Sequence, residues 1–297
     1  MTSKLVIGTV QFGIPYGISN THGKTQVDEA EKILAYAYEH GIRMMDTAVS
    51  YGDAEKTIGG IICHGTVGSN WKIVTKTPHF KTESIGQDQI GELEYRFNTS
   101  RETLQSERLY GLMIHACEDL FLPGGEKLFA SMQRLKEQGL VEKIGVSLYS
   151  SDQIDRLLNN YSVDLVQLPI NIFDQRLLEN GRLSMLKERG IEIHARSVFL
   201  QGLLLMDPDC VSPWFAPIHK TLKKFHKYAK EKSISSLQLA LGFVQGIPEV
   251  DYVLVGVNTE TQLHEIIAAS KLSVNHKDYQ ELSINDPNFV NPSNWKI

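Results

Sequence analysis

The chain has 297 residues, 42% of them hydrophobic and 22% charged, with a formal net charge of −5. That balance can bury a sizeable core, and its acidity argues against nucleic acid as a partner, which a basic face would have to grip. No apolar run approaches the ~18 residues of a bilayer span, and Met1-Thr2-Ser3-Lys4 leads straight into Leu5-Val6-Ile7-Gly8 without a signal-peptide apolar region, so a cytoplasmic protein with no membrane partner is expected.

One pattern recurs from there: a short apolar run, a polar residue at its end, an amphipathic helix, a glycine, and another run. Leu5–Gly8 is the first strand. Val27–His40 reads as a helix, with Ala30, Ile33, Leu34 and Ala37 at helical spacing, Thr25 as its N-cap and Gly41 just past its end. Ile42–Asp46 is the second strand, and Asp53 is placed to cap a helix carrying Ile58, Ile61 and Ile62. Strand Lys72–Lys76 precedes a helix with Ile90, Leu93, Phe97 and Leu104 on one side. Strand Tyr110–His115 precedes one with Leu128, Met132 and Leu135, ending at Gly139. Lys143–Ser147 is followed by a helix with Ile154, Leu157, Leu158 and Tyr161, and Asp164–Leu168 by a helix around Leu178–Arg189 that Gly190 stops. After the seventh strand, Ile191–Arg196, come two helices, one with Leu222, Phe225, His226 and Ala229, the other with Leu237, Ala240, Leu241 and Val244. Tyr252–Val255 is the eighth strand and Thr259–Ser270 the last helix; the Pro- and Asn-rich tail Asn285–Ile297 reads as irregular.

Eight strands alternating with helices require a parallel sheet with the helices outside it, and eight units can close that sheet. The expected fold is α/β, a single (β/α)8 TIM barrel over residues 1–297 with an extra helix between strands seven and eight. An open doubly wound sheet is the alternative, weakened because no G-x-G-x-x-G follows any strand.

In such a barrel the C-terminal strand ends ring the active site. Here they carry Gly8, Asp46, Lys76, His115, Ser147, Gln167, Arg196 and Gly256. Singly, each has an ordinary explanation: a turn cap for Asp46, a solvated strand end for Lys76, a satisfied core histidine for His115. Their convergence on one rim carries the functional reading. Cys63, Cys117 and Cys210 are far apart and suit buried thiols in a reducing compartment. The ten histidines offer no H-x-H or H-x-x-x-H pair, so no metal is expected.

Gly41-Ile42-Arg43-Met44-Met45-Asp46-Thr47-Ala48, then Tyr51-Gly52, Thr75-Lys76 and Ile114-His115 resemble the aldo-keto reductase family, and the likeness extends from Gly8-Thr9 to Gly256–Glu265. The resemblance implies a catalytic tetrad of Asp46, Tyr51, Lys76 and His115. Carbonyl reduction places hydride on carbon and leaves charge on oxygen, so an acid must supply a proton. A phenol with a pKa near ~10 is a reluctant donor, and the Lys76 ammonium, held by Asp46, is expected to lower that value. His115 would orient the carbonyl by a hydrogen bond.

The resemblance also implies a cofactor, NADP(H) with NAD(H) as the alternative, bound by Gly8, Thr9, Asp46, Ser147, Gln167, Arg196, Ser197, Gln201, Gly202, Gly256, Asn258 and Gln262. Ser147 and Gln167, with Asn171 further on, match positions that hold the nicotinamide carboxamide, and Ser197, Gln201, Gly202 and Leu203 a segment that wraps the pyrophosphate. Thr259 and Gln262 form a T-x-x-Q pair that reads equally well as a plain helix cap.

Three departures bear on the cofactor. Leu148 replaces the amide residue that usually follows Ser147, Arg196 replaces a stacking aromatic, and no Lys or Arg stands among Gly256, Asn258 and Gln262 to grip a 2′-phosphate. Arg196 could stack on the nicotinamide, reach a substrate carboxylate or phosphate, or turn outward into a salt bridge; Asp174 and Arg176 read as a structural salt link. The expected activity is reduction of an aldehyde or ketone, with sugar-derived compounds the expected class because little tail remains to roof the pocket. A regulatory or sensor protein of the same fold with little turnover is the alternative.

Overall fold

The computed structural model describes residues 3–65, 67–68, 70–178 and 180–297. Eight strands, β1 (Leu5–Gly8), β2 (Met44–Asp46), β3 (Lys72–Lys76), β4 (Leu109–Ile114), β5 (Val141–Ser147), β6 (Leu165–Pro169), β7 (Glu192–Arg196) and β8 (Tyr252–Gly256), pair in parallel in chain order. The sheet closes where Leu5 pairs with Val253 and Gly8 with Gly256. Both faces of a parallel barrel are covered, which is why the strands read as nearly continuous apolar runs.

The helices cover the outside through apolar stripes at helical spacing. Val27–Glu39 buries Ala30, Ile33, Leu34 and Ala37, and Ser151–Asn160 buries Ile154, Leu157 and Leu158. Between β7 and β8 stand two α-helices, His219–Glu231 and Ser236–Gln245, the second being the expected extra one.

Alternation along each strand sorts the barrel interior into layers. Val6, Met44, Val74, Tyr110, Met113, Leu165 and Leu254 form an apolar plug inside the barrel. Two residues beyond the plug on the same face come Gly8, Asp46, Lys76, Gln167 and Gly256. The period of two thus places polar groups directly above a dry floor.

Several local expectations are corrected. The Val27–Glu39 helix is preceded by Gln26, not Thr25, and has no side-chain cap; Thr25 Oγ1 donates instead to the Asn258 carbonyl at 3.3 Å. Asp53 stands at the N-cap of Ala54–Cys63, but its carboxylate accepts from Lys24 Nζ at 2.8 Å rather than from the helix. Ile42 and Arg43 lie outside β2, where Arg43 stacks 3.6 Å over the Tyr38 ring. His115 lies one residue past β4. The helix expected around Leu178–Arg189 spans only Arg182–Glu188, and Glu179 lies outside the described residues, as do Met1 and Thr2. The tail forms a short helix, Pro287–Val290, and a 3-10 turn, Pro292–Asn294, because Asp286 and Asn291 cap prolines at first helical positions.

Candidate active site

Asp46 ends β2, and Lys76 ends the neighbouring β3 on the same inner face. The Lys76 side chain is 1% exposed. Its Nζ donates to Asp46 Oδ1 at 2.5 Å and Oδ2 at 2.7 Å, and to the Thr47 carbonyl at 2.9 Å. It stands 3.5 Å from the Tyr51 hydroxyl. Gln167 Nε2, from β6, donates to Asp46 Oδ2 at 2.9 Å. Every donor and acceptor of the ion pair is thus engaged, as a buried pair requires.

Tyr51 hangs in the loop after β2, and two glycines fix it. Gly52 has φ +55°, a conformation that glycine adopts without strain. A Cβ on Gly13, in the helical turn after β1, would stand 1.6 Å from the Tyr51 carbonyl oxygen. The Tyr51-Gly52 dipeptide is therefore a packing requirement that holds the phenol over Lys76.

Burial pushes the Tyr51 phenol above its ordinary value; the Lys76 ammonium opposes that shift without reversing it. The expectation of a lowered phenol pKa is corrected: where the hydroxyl is this enclosed, the desolvation penalty is larger than the attraction. For Lys76, burial works against the charge, but the Asp46 carboxylate prevails and the ammonium is held above its ordinary range. His115 is driven down to about 2, by burial first and then by the charges of Lys76, His79 and Arg196. It is a neutral imidazole, standing edge-on to Tyr51 with ring centroids 6.0 Å apart. Its Nδ1 lies 3.4 Å from Ser50 Oγ; with the hydroxyl donating there, the ring proton sits on Nε2.

A cavity of about 570 Å³ opens above these groups, within the range of small-molecule sites. The expected residues Gly8, Thr9, Asp46, Tyr51, His115, Ser147, Gln167, Arg196, Ser197, Gln201, Gly202, Gly256, Asn258 and Gln262 all line it. Lys76 lies behind Asp46 and Tyr51 and is not part of the lining. Asn171 and Leu203 are not brought to the cavity; Asn171 Oδ1 accepts from the Phe173 and Asp174 amides at 2.9 Å, a structural turn. Arg176 and Asp174 form the expected fork at 2.7 and 2.8 Å.

Residues given no role in the sequence reading also line the cavity: Gln11 and Tyr16 after β1, Tyr149 after β5, and Glu265 on the last barrel helix. The first three fall two to eight residues past a strand end, on loops rather than strand termini, and that spacing alone was the available signal.

A dinucleotide fits the lining. Gln11 Oε1, Asn258 Oδ1 and Arg196 Nη2 are buried with no hydrogen-bond partner among the described residues, and all three residues line the cavity. Ser197, Leu200 and Gln201 hold positive φ angles of 58°, 47° and 52°, so the segment after β7 is a strained strap. It is tied across the mouth by the Ile18 amide donating to the Gln201 carbonyl at 3.1 Å and by Gln201 Nε2 donating to the Tyr16 hydroxyl at 3.2 Å. At the last helix, Glu260–Ala269, capping takes up the donors: Thr259 Oγ1 accepts from the Gln262 amide, Gln262 Oε1 from the Asn258 amide, and Glu29 from the Glu260 amide. Thr259 and Gln262 therefore serve the cap, although Gln262 does not reach the Thr259 amide.

Arg196 does not turn outward. Its Cζ lies 4.2 Å over the Tyr149 ring, and Nη1 donates to Ser197 Oγ at 3.3 Å. On the far side of His115 lies a second cavity of about 440 Å³, bordered by Ser50, His79, Lys81 and Arg96. Among the described residues, no group of three or more His, Cys, Asp or Glu is placed to hold a metal ion, and no helix is long and apolar enough to cross a membrane.

Comparison with known proteins agrees with this fold and names its family. A sequence profile of the Aldo/keto reductase family matches residues 4–285. L-galactose dehydrogenase of Arabidopsis thaliana is 26% identical over 89% of this chain and 85% of its own length. NADH-specific methylglyoxal reductase of Escherichia coli is 23% identical over 82% of each chain. A solved aldo-keto reductase of Bacillus halodurans, in its holo form, superposes with a TM-score of 0.74 over 99% of this chain and 96% of its own, at 16% identity.

Proposed function

The chain belongs to the Aldo/keto reductase family and is an NAD(P)H-dependent oxidoreductase, and from that premise we propose that it reduces a small aldehyde or ketone to the alcohol with Tyr51 as the proton donor. One observation carries the reading: Asp46, Lys76, Tyr51 and His115, drawn from four segments of the chain, meet at one rim with Lys76 Nζ 3.5 Å from the Tyr51 hydroxyl.

A bound reduced nicotinamide supplies the hydride. The protein's part is to place the carbonyl oxygen and feed it a proton. Neutral His115 donates through Nε2–H and fixes the oxygen without delivering charge to it. The Tyr51 hydroxyl donates its proton as negative charge builds on that oxygen, and the phenolate left behind is stabilised by Lys76 at its back. Burial, which raises the pKa of free Tyr51, also strengthens the ammonium's hold on the phenolate when it forms. Asp46, held by Lys76 and Gln167, keeps the ammonium charged and aimed. Ser147 and Gln167 would hold the carboxamide, Ser197, Gln201 and Gly202 the pyrophosphate, and Gly8, Thr9, Gly256, Asn258 and Gln262 the remaining cofactor contacts. Arg196 would offer a flat surface to the ring. Its positive charge would disfavour the cationic oxidised ring relative to the neutral reduced one.

The adenosine end carries Glu265 and no lysine or arginine among the cavity residues after β8. A carboxylate repels a 2′-phosphate and accepts hydrogen bonds from ribose hydroxyls, so NADH binds measurably beside NADPH. The cavity walls combine tyrosines with hydrogen-bonding groups, which suits hydroxylated, sugar-derived carbonyl compounds. The activities for which the relatives are named, on L-galactose and on methylglyoxal, agree with small oxygen-rich substrates.

The test is a panel of aldoses, ketoses and small aldehydes assayed with NADPH and with NADH, following oxidation of the cofactor, with and without chelator. Reduction of sugar-derived members, unaffected by chelator, is the expected result. Cofactor binding with no turnover of any member would establish a sensor instead, and a dissociation constant for NADPH about a thousandfold below that for NADH, ~4 kcal/mol, would show an unrecognised phosphate clamp.

A further inference from the structure

The cavity holds one cation that proton transfer does not use. Arg196 ends β7 and lines the cavity together with Tyr51 and His115. Tyr149 covers one face of its guanidinium at 4.2 Å. Among the described residues only Nη1 finds a hydrogen-bond partner, the neutral Ser197 Oγ, while Nη2 is buried and unsatisfied. The nearby carboxylates are engaged elsewhere: Asp46 with Lys76 and Gln167, Asp174 with Arg176. A partly buried guanidinium without an anion is costly to keep, and cavities that keep one supply a place for the ligand's charge.

We infer that Arg196, with Tyr149 and Tyr16 as flanking walls, is a specificity element that selects carbonyl substrates bearing an oxyanion, a carboxylate or a phosphate, close to the reacting group. This rests on the reading of Tyr51 and His115 as the reacting end. The fork geometry favours it: a guanidinium with a face stacked on an aromatic ring keeps its edge, and that edge matches two oxygens of a carboxylate or phosphate at once. The reacting end also feels this charge, since Arg196 lowers the proton affinity of both Tyr51 and His115. Tyr16, on the loop after β1, and Tyr149, on the loop after β5, line the cavity beside it.

Matched pairs test it: succinic semialdehyde against 4-oxobutanamide for the carboxylate, and glyceraldehyde 3-phosphate against glyceraldehyde for the phosphate, all at saturating cofactor. The parent protein should show kcat/KM at least about tenfold higher for the charged member of one pair, and which pair responds identifies the source of the oxyanion. Arg196→Met should remove that preference, and Arg196→Lys, which keeps the charge but loses the fork, should restore part of it. A binding arm does not need turnover: succinate and succinamide are titrated onto the protein–cofactor complex by intrinsic fluorescence, and Arg196→Met should weaken succinate at least about tenfold more than succinamide. Reduction of the neutral members alone, with equal effects of Arg196→Met on both, would overturn the inference and leave the reductase reading standing. So would a variant whose only change is weaker cofactor binding. No reduction of any aldehyde together with charge-selective binding would do the reverse.

Discussion

Replacing Lys76 by methionine tests the buried ion pair apart from catalysis. The ammonium and the Asp46 carboxylate are 1% and 3% exposed and in contact at 2.5 Å. Deleting one member of such a pair leaves the other charge buried, at a cost of about 3–5 kcal/mol. At on the order of 2 °C per kcal/mol for a domain this large, the melting temperature should fall by about 6–10 °C near neutral pH. Asp46 would keep only the Gln167 amide as a side-chain donor. Asp46→Asn with Lys76→Met, two neutral groups of similar volume, should recover most of the loss. Thermal melts of the three proteins near neutral pH decide the matter. A Lys76→Met protein that melts within a degree of the parent, or a double variant less stable than the single one, would refute the reasoning.

Gly13→Ala should displace the Tyr51 loop, because its Cβ would fall 1.6 Å from the Tyr51 carbonyl; kcat should drop at least about tenfold, since small misplacements of a catalytic group are felt strongly. Retention of parental kcat would mean that the loop yields freely. His115 is neutral far below its ordinary range, at about 2, so the kcat/KM profile for reduction should show no histidine break between about pH 5 and 8. An inflection near about 6.5 that disappears in His115→Gln would contradict it.

How far the chain could be read depended on the physical reach of each signal. Strand ends were legible because a parallel barrel alternates its inner face: two residues past the plug positions Met44, Val74 and Leu165 come Asp46, Lys76 and Gln167. Caps were less legible, because Thr25 and Asp53 have long-range partners, the Asn258 carbonyl and Lys24, that compete with the helix ends. The tail reads as irregular for a related reason: its prolines and acid or amide residues are start signals for short helices as much as marks of irregular chain. The direction of the Tyr51 shift was also beyond the sequence, since it depends on how deeply the hydroxyl is enclosed and not only on Lys76 being near. Arg196 was recognisable as unusual from position alone, but its stacking on Tyr149 joins a strand end to a loop 47 residues away in the chain, and no local pattern announces that contact.

The proton-donor role of Tyr51 is tested with the least disturbance by Tyr51→Phe. The ring and its packing remain, and only the hydroxyl near Lys76 Nζ is lost. Measured on the substrate that the parent reduces best, kcat should fall by about 10²–10⁴, the contribution of a positioned acid, while the cofactor dissociation constant, read from fluorescence, stays within about threefold, under ~1 kcal/mol. Parental turnover in Tyr51→Phe with intact cofactor binding would contradict the central claim.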